Sequence, residues 1–257
     1  MPSGPDGGAD RMSPGADAPR VSIVVPVRNE APNVRPLVAE IERACSVLSP
    51  FELIYVDDGS TDGTLDELAA ARAGRPWLRG FRHAKSCGQS AAVRTGALAA
   101  RAPILVTLDG DGQNDPAFIP TLVEALERGG PGVGLVAGQR VGRRDTGFKR
   151  LQSRIANRVR AAVLKDGTRD TGCGLKAVRR DLYFLLPYFD ALHRFMPALV
   201  AREGLAAVHV DVVDRPRLAG RSKYGFFDRL LVGIGDLAGV WWLLRRRHRT
   251  PRVEEIA

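Results

Sequence analysis

Residues Leu105–Pro116 read LVTLDGDGQNDP, an apolar run that ends in Asp109, Asp111 and Asp115. Carboxylates this close repel one another and lose hydration, so the pattern calls for positive charge between them. The apolar part reads as a buried strand, and the acidic part as a loop at that strand's carboxyl end.

Working outward, the same alternation repeats. VSIVVPV (21–27), FELIYV (51–56), LRGFRH (78–83), PILVTL (103–108) and VGLVAGQR (133–140) read as strands. Val34, Leu37, Val38, Ile41 and Leu48 recur at helical spacing. STDGTLDELAAARA (60–73), GQSAAVRTGALAA (88–100) and PAFIPTLVEALER (116–128) also read as helices, the last with Pro116 near its start. Strand–helix alternation predicts an α/β fold, with a doubly wound parallel sheet up to about Arg140. In such sheets ligands bind beyond the carboxyl ends of the strands. Three polar clusters fall at those ends: RNE (28–30), DDGSTDGT (57–64) and DGDGQNDP (109–116). From Arg143 to Asp181 the chain is basic and reads as mostly helical, ending in a glycine-rich turn. AAVHVDVVDRPRL (206–218) reads as one more strand and AGRSKYG (219–225) as a polar loop.

Composition narrows the function classes. The 257 residues fit one large domain with appendages, and a hydrophobic share of 44% suits a substantial core. A net charge of +9 points to an anionic partner: nucleic acid, a phosphorylated substrate or an acidic membrane. Nucleic acid leaves the acidic strand ends unexplained, and no aromatic stacking platform is evident. Cys45, Cys87 and Cys173 lie far apart without a CxxC pair, which argues against a disulfide framework or a zinc site and for a reducing cytosol. Residues 1–20, rich in Gly, Pro and Asp, read as a disordered leader and not as a signal peptide.

Each acidic cluster has a plainer reading. Asp58 or Asp62 can serve as a turn residue or cap the following helix. DGDGQND can be a loop of turn formers. Its chemical reading is that Asp109 and Asp111 alternate along an extended segment, and a kink at Gly110 aims both at one point. Mg²⁺ or Mn²⁺ takes such oxygen ligands together with substrate phosphates, and Gln113 can add a carbonyl oxygen.

Taken together, VSIVVPVRNE, YVDDGSTDGT and LDGDGQNDP resemble the N-terminal domain of family 2 glycosyltransferases, which have the GT-A fold. HRFMPAL (193–199) and RPRLAGRSKYG (215–225) are similar to the polyprenyl-phosphate branch, typified by dolichol-phosphate mannosyltransferase. The resemblance covers about Val21 to Trp242. It implies a catalytic domain over 21–225. It also implies a nucleotide-sugar donor held around Pro26, Arg28, Glu30, Asp57, Asp58, Gln89 and Asp109. A divalent metal, Mg²⁺ or Mn²⁺, is implied on Asp109, Asp111 and Gln113. Asp111, Arg194, Arg217 and Lys223 are the implied catalytic set. Where the branch often has DADLQDP this chain has DGDGQNDP, which keeps the acidic ligands and changes the residues between them.

The resemblance also implies the nucleophile. Relatives that glycosylate hydroxyls usually carry an ED pair as general base, and processive ones add QxxRW; neither occurs here. A hydroxyl must lose its proton, whereas a phosphate monoester is largely dianionic at neutral pH and needs cationic positioning instead. His193, Arg194, Arg217, Ser222 and Lys223 are candidates for that acceptor contact, with Lys149, Arg150 and Arg154 on the basic segment. The expected reaction is one inverting displacement onto a polyprenyl phosphate. A family 2 transferase acting on a saccharide hydroxyl is the alternative within the family.

A lipid acceptor requires a route to the membrane. In Phe226–Leu244, Asp228, Arg229 and Asp236 share a stripe at ~100° per residue, opposite Phe227, Leu230, Leu231, Ile234, Leu237 and Trp241. Residues 226–247 therefore read as an amphipathic helix lying in the membrane surface, with 248–257 as a flexible tail. The alternative is a helix packed on the protein's own core or on a dimer mate. Many such transferases continue into two transmembrane helices, so a separate integral-membrane partner is expected for this sequence. The expected location is the cytoplasmic face of the membrane, peripherally bound, and an oligomer is compatible with it.

Overall fold

The computed structural model describes residues 18–141, 160–164, 166–168, 170–215 and 226–246, with the side chains of the last helix described from Gly233 onward. The strands are β1 (Val21–Val27), β2 (Phe51–Asp57), β3 (Leu78–Arg82), β4 (Ile104–Thr107), β5 (Val133–Val141), β6 (Lys176–Arg179) and β7 (Ala206–Val213). The helices are α1 (Ala31–Cys45), α2 (Thr64–Arg72), α3 (Gln89–Ala99), α4 (Ile119–Arg128), a helical stretch α5 at 160–164, α6 (Arg180–Leu185), α7 (Leu192–Arg202) and α8 (Phe226–Arg245).

One seven-stranded sheet runs β3-β2-β1-β4-β6-β5-β7. The first four strands are mutually parallel, as expected from the alternation of strands and helices. The order turns back at β1, so the segments after β1 and β4 open on a shared crevice. β5 and β7 are also parallel to each other. Apolar side chains form one core against α1, α2 and α4 on one face of the sheet, and another against α3, α6, α7 and α8 on the other. In α4, Ile119, Leu122, Val123 and Leu126 recur at i, i+3, i+4 and i+7 and are all buried.

Several boundaries differ from the sequence reading. Lys176–Arg179 is a strand, not part of a helix or glycine-rich turn. It inserts antiparallel between β4 and β5, pairing Thr107 with Lys176 and Ala137 with Lys176. The sheet is therefore mixed, though mainly parallel. The 116–128 helix divides into a 3₁₀ turn, Pro116–Phe118, and α4, with Asp115 capping the turn by accepting from the Ala117 N–H at 2.9 Å.

Helix α8 forms, but its faces are not those expected. Val240 is buried, and Leu237, Leu243 and Leu244 pack with it into the core beside α7. Ile234 and Trp241, assigned to the same apolar side as Leu237, are exposed together with Trp242. Docking on the protein's own core draws in the stripe around Val240 and leaves the two tryptophans outside. No helix among the described residues is long and apolar enough to cross a membrane.

Candidate functional site

The site is assembled at the carboxyl ends of β1, β2 and β4. Residues after β1 and β2 interlock through polar side chains. The Asn29 N–H donates to Ser60 Oγ at 2.8 Å, and Asn29 Oδ1 accepts from the Thr61 N–H at 2.8 Å. The Glu30 N–H donates to Thr64 Oγ1 at 2.9 Å, while its carboxylate accepts from Asn33 Nδ2 at 2.6 Å. Pro26 is half-buried within β1 opposite Val56, and Arg28 is exposed just beyond it.

The paired aspartates where β2 ends are loop organisers. Asp57 is buried and accepts from the Ser60 N–H at 3.2 Å, with Arg82 at 3.6 Å. Asp58 gathers the turn before α3: Cys87 N–H at 2.7 Å and His83 Nδ1 at 2.8 Å on one oxygen, Ser86 Oγ at 2.6 Å and Gly88 N–H at 2.9 Å on the other. Burial alone would raise its pKa, but these four hydrogen bonds hold it down at about 2. Asp62, the other capping candidate, accepts from the Thr64 N–H at 3.0 Å at the start of α2.

The acidic loop after β4 turns sharply instead of running extended. Gly112 takes the left-handed backbone (φ +73°), whereas Gly110 serves by having no side chain, since a Cβ there would lie 2.4 Å from Val27 Cγ1. Asp111 Oδ1 accepts from the Gln113 N–H at 3.1 Å. Asp109 Oδ1 accepts from Gln89 Nε2 at 2.8 Å, so the first residue of α3 reaches an expected metal ligand. Burial first, then the charge of Asp111, pushes Asp109 up to about 6, offset by Lys176 and Arg140. The Asp109 carboxyl, pushed up by burial and by its acidic neighbour, belongs to an oxygen-donor set that fits a hard divalent cation.

Four supporting features escaped the sequence reading. Gly174, just before β6, backs onto Asp109: a Cβ at this position would lie 2.3 Å from the Asp109 carboxyl group. The Gly174 carbonyl is pinned by Thr107 Oγ1 at 2.6 Å. Lys176 is buried, donates to the Cys173 carbonyl and lends its charge to Asp109. Finally, a polar relay runs from the Asp109 N–H to Asn114 Oδ1 (3.3 Å), from Asn114 Nδ2 to Asp214 Oδ1 (3.4 Å), and from Arg140 Nη1 to Asp214 Oδ2 (3.2 Å). Arg140 also grips Asp170 with Nε at 2.6 Å and Nη2 at 2.9 Å. Burial opposes the Arg140 charge, but Asp170 and Asp214 more than compensate and drive its pKa above the ordinary arginine value. A lone buried lysine and a glycine in a polar turn carry no such signal in sequence.

Of the expected acceptor residues, Lys149, Arg150, Arg154, Arg217, Ser222 and Lys223 lie outside the described residues. His193 and Arg194 open α7. His193 Nδ1 lies 3.3 Å from Ser90 Oγ, one residue from Gln89. Burial, with Lys176 and Arg194 adding to it, lowers His193 to about 3, so its imidazole is neutral and offers hydrogen bonds instead of the expected positive charge. Arg194 is exposed and acts electrostatically on Asp236 of α8. The site thus continues from Asp109 through Gln89, Ser90 and His193 towards α8.

Comparison with known proteins identifies relatives in sequence and in fold. The family model described as glycosyl transferase family 2 matches residues 22–184. The chain is 37% identical over 235 residues to a dodecaprenyl-phosphate galacturonate synthase of Rhizobium johnstonii, covering 89% of this chain and 68% of that protein. It is 34% identical to an undecaprenyl-phosphate 4-deoxy-4-formamido-L-arabinose transferase of Aeromonas hydrophila, covering 81% of this chain and 64% of the relative. The chain therefore spans about two thirds of the length of these curated relatives. A similar fold occurs in the crystal structure of glucosyl-3-phosphoglycerate synthase from Mycobacterium tuberculosis with Mn²⁺, UDP and glucosyl-3-phosphoglycerate. The TM-score is 0.63 at 23% identity, over 88% of this chain and 78% of that one. The mixed, mainly parallel sheet is thus the GT-A arrangement.

Proposed function

The chain belongs to glycosyl transferase family 2, and we propose that it transfers a sugar from a nucleotide-sugar donor, GDP-mannose or a UDP-hexose, to a polyprenyl phosphate, dolichyl or undecaprenyl, at the cytoplasmic membrane face. The observation that carries this reading is the Asp109–Asp111 pair at the end of β4, shaped by Gly174 and tied to Gln89. Asp109 and Asp111, with Gln113 beside them, would hold Mg²⁺ or Mn²⁺. When bound, such an ion supplies positive charge for a diphosphate leaving group. Pro26, Arg28 and Glu30 line the β1 side of the crevice for the nucleoside. Asp57 and Asp58 fix the loops around it.

The acceptor side rests on α7 and α8. Neutral His193 offers a hydrogen bond and Arg194 a charge; Arg217 and Lys223 would add positive charge and Ser222 a hydroxyl, groups suited to a phosphate monoester. A dianionic phosphate needs no base to deprotonate it, so the work of these residues is to aim its oxygen at the anomeric carbon. Exposed Ile234, Trp241 and Trp242 form the membrane contact, with Arg245 3.8 Å from the Trp241 ring centre and Arg246 4.6 Å from that of Trp242. A separate integral-membrane partner fits the same surface.

The test is transfer from radiolabelled nucleotide sugars to polyprenyl phosphate in detergent with Mn²⁺. An organic-extractable, mild-acid-labile product is expected, and it should vanish in Asp111→Asn. Label that appears only on a water-soluble saccharide would replace the lipid acceptor by a hydroxyl one.

A further inference from the structure

Away from Asp109 and Asp111, a different kind of cluster forms among the described residues. Asp58 at the end of β2, His83 just after β3 and Cys87 in the turn before α3 bring a carboxylate oxygen, an imidazole nitrogen and a thiol sulfur within 4.8 Å of one another. Sequence spacing hides the group because Asp58 lies 25 residues before His83 and only one cysteine takes part, whereas the usual zinc signature places cysteines in close pairs.

The three side chains are graded in depth. Asp58 is buried at the floor, His83 is half-buried and Cys87 is exposed at the mouth. The turn is already fixed, because the Cys87 and Gly88 N–H groups and the Ser86 hydroxyl all hold the Asp58 carboxylate. His83 also has the outer partner that an imidazole ligand generally uses, Thr95 Oγ1 at 2.9 Å from Nε2. Its Nδ1 faces Asp58 Oδ1 at 2.8 Å, a spacing bridged by one proton, whose place a cation can take.

The geometry points to a second cation site on Asp58, His83 and Cys87, selective for a thiophilic divalent ion of the zinc class. A mixed O, N and S donor set suits such an ion, whereas Mg²⁺ and Mn²⁺ prefer the all-oxygen set at Asp109 and Asp111. Three protein ligands leave a fourth position open at the mouth. On binding, the Cys87 thiol releases its proton to solvent. The imidazole gives up its Nδ1–H for an Nε2–H, and the Thr95 hydroxyl turns from donor to acceptor. Nothing is oxidised or reduced. Gln89 lies two residues beyond Cys87, so occupation bears on the residue that contacts Asp109.

The experiment is a Co²⁺ titration of the full, reduced chain with Mn²⁺ in excess, followed by optical absorption. Thiolate-to-cobalt charge transfer is expected at one equivalent, bleached on adding Zn²⁺. Cys87→Ser should abolish the band with unchanged melting, and His83→Gln should weaken Co²⁺ binding at least tenfold. Asp111→Asn should retain the band, which separates this site from the one proposed for the transferase. A wild-type protein with no band, a band surviving in Cys87→Ser, or undiminished affinity in His83→Gln would overturn the proposal.

Discussion

Gln89 Nε2 lies 2.8 Å from Asp109 Oδ1, and this one hydrogen bond joins the first residue of α3 to the loop after β4. It orients a carboxylate that burial and the charge of Asp111 push up, against the pull of Lys176 and Arg140. Replacing Gln89 by alanine should lower Mn²⁺ affinity about 10- to 100-fold, as loss of outer contacts to metal ligands generally does. Manganese titration of the transferase reaction checks this, with melting little changed because the bond is near the surface.

Gly174→Ala should separate folding from function. The added methyl would meet the Asp109 carboxyl group at 2.3 Å, and the end of a side chain can swing away where backbone cannot. The expected outcome is a folded protein, destabilised by about 1–3 kcal/mol, whose metal-dependent transfer is lost. Urea unfolding read beside activity tests both halves.

Asp58 sets a pH dependence of stability. Its folded pKa, about 2, lies below the ordinary aspartate value of 3.8. Its contribution is therefore present above pH ~4 and lost as pH falls towards ~2, and is worth about 2 kcal/mol. Unfolding free energies of wild type and Asp58→Asn should differ most at neutral pH and converge in acid. A constant gap across that window would contradict the assignment.

Trp241→Ser combined with Trp242→Ser should reduce binding to anionic vesicles about tenfold or more while leaving urea unfolding nearly unchanged. Both rings are exposed, whereas Val240 between the core and the helix axis is buried. Sedimentation with liposomes measures the first effect. Val240→Ala should do the reverse, costing stability more than membrane affinity.

β1, β2 and β5 were legible because each is a largely apolar run closed by turn residues, and burial on both faces leaves little else for such a run to do. β6 was not, since KAVR is four residues with a basic residue at each end, and a lysine normally signals solvent. Burial lowers the Lys176 pKa, and Cys173, Asp109 and Asp170 offset this only in part, a fact of topology and not of local pattern. The same insertion delivers Gly174 to Asp109. Asp109 and Asp111 could be chosen from sequence because two acids bracketing a glycine at a strand end are conspicuous. Asn114 and Asp214, a hundred residues apart, become partners only once β7 has found β5. The helical period of α8 was readable, but which of its stripes turns inward was decided by α7.

The β-bridge between Asn114 and Asp214, with the Arg215 N–H donating to the Gln113 carbonyl at 2.9 Å, fastens the exit of β7 to the acidic loop. Chimeras that exchange the segment after Arg215 between relatives should therefore inherit a new acceptor preference only when residues 113–115 and 214–215 travel as one cassette; transplanting either half alone would mismatch the seam.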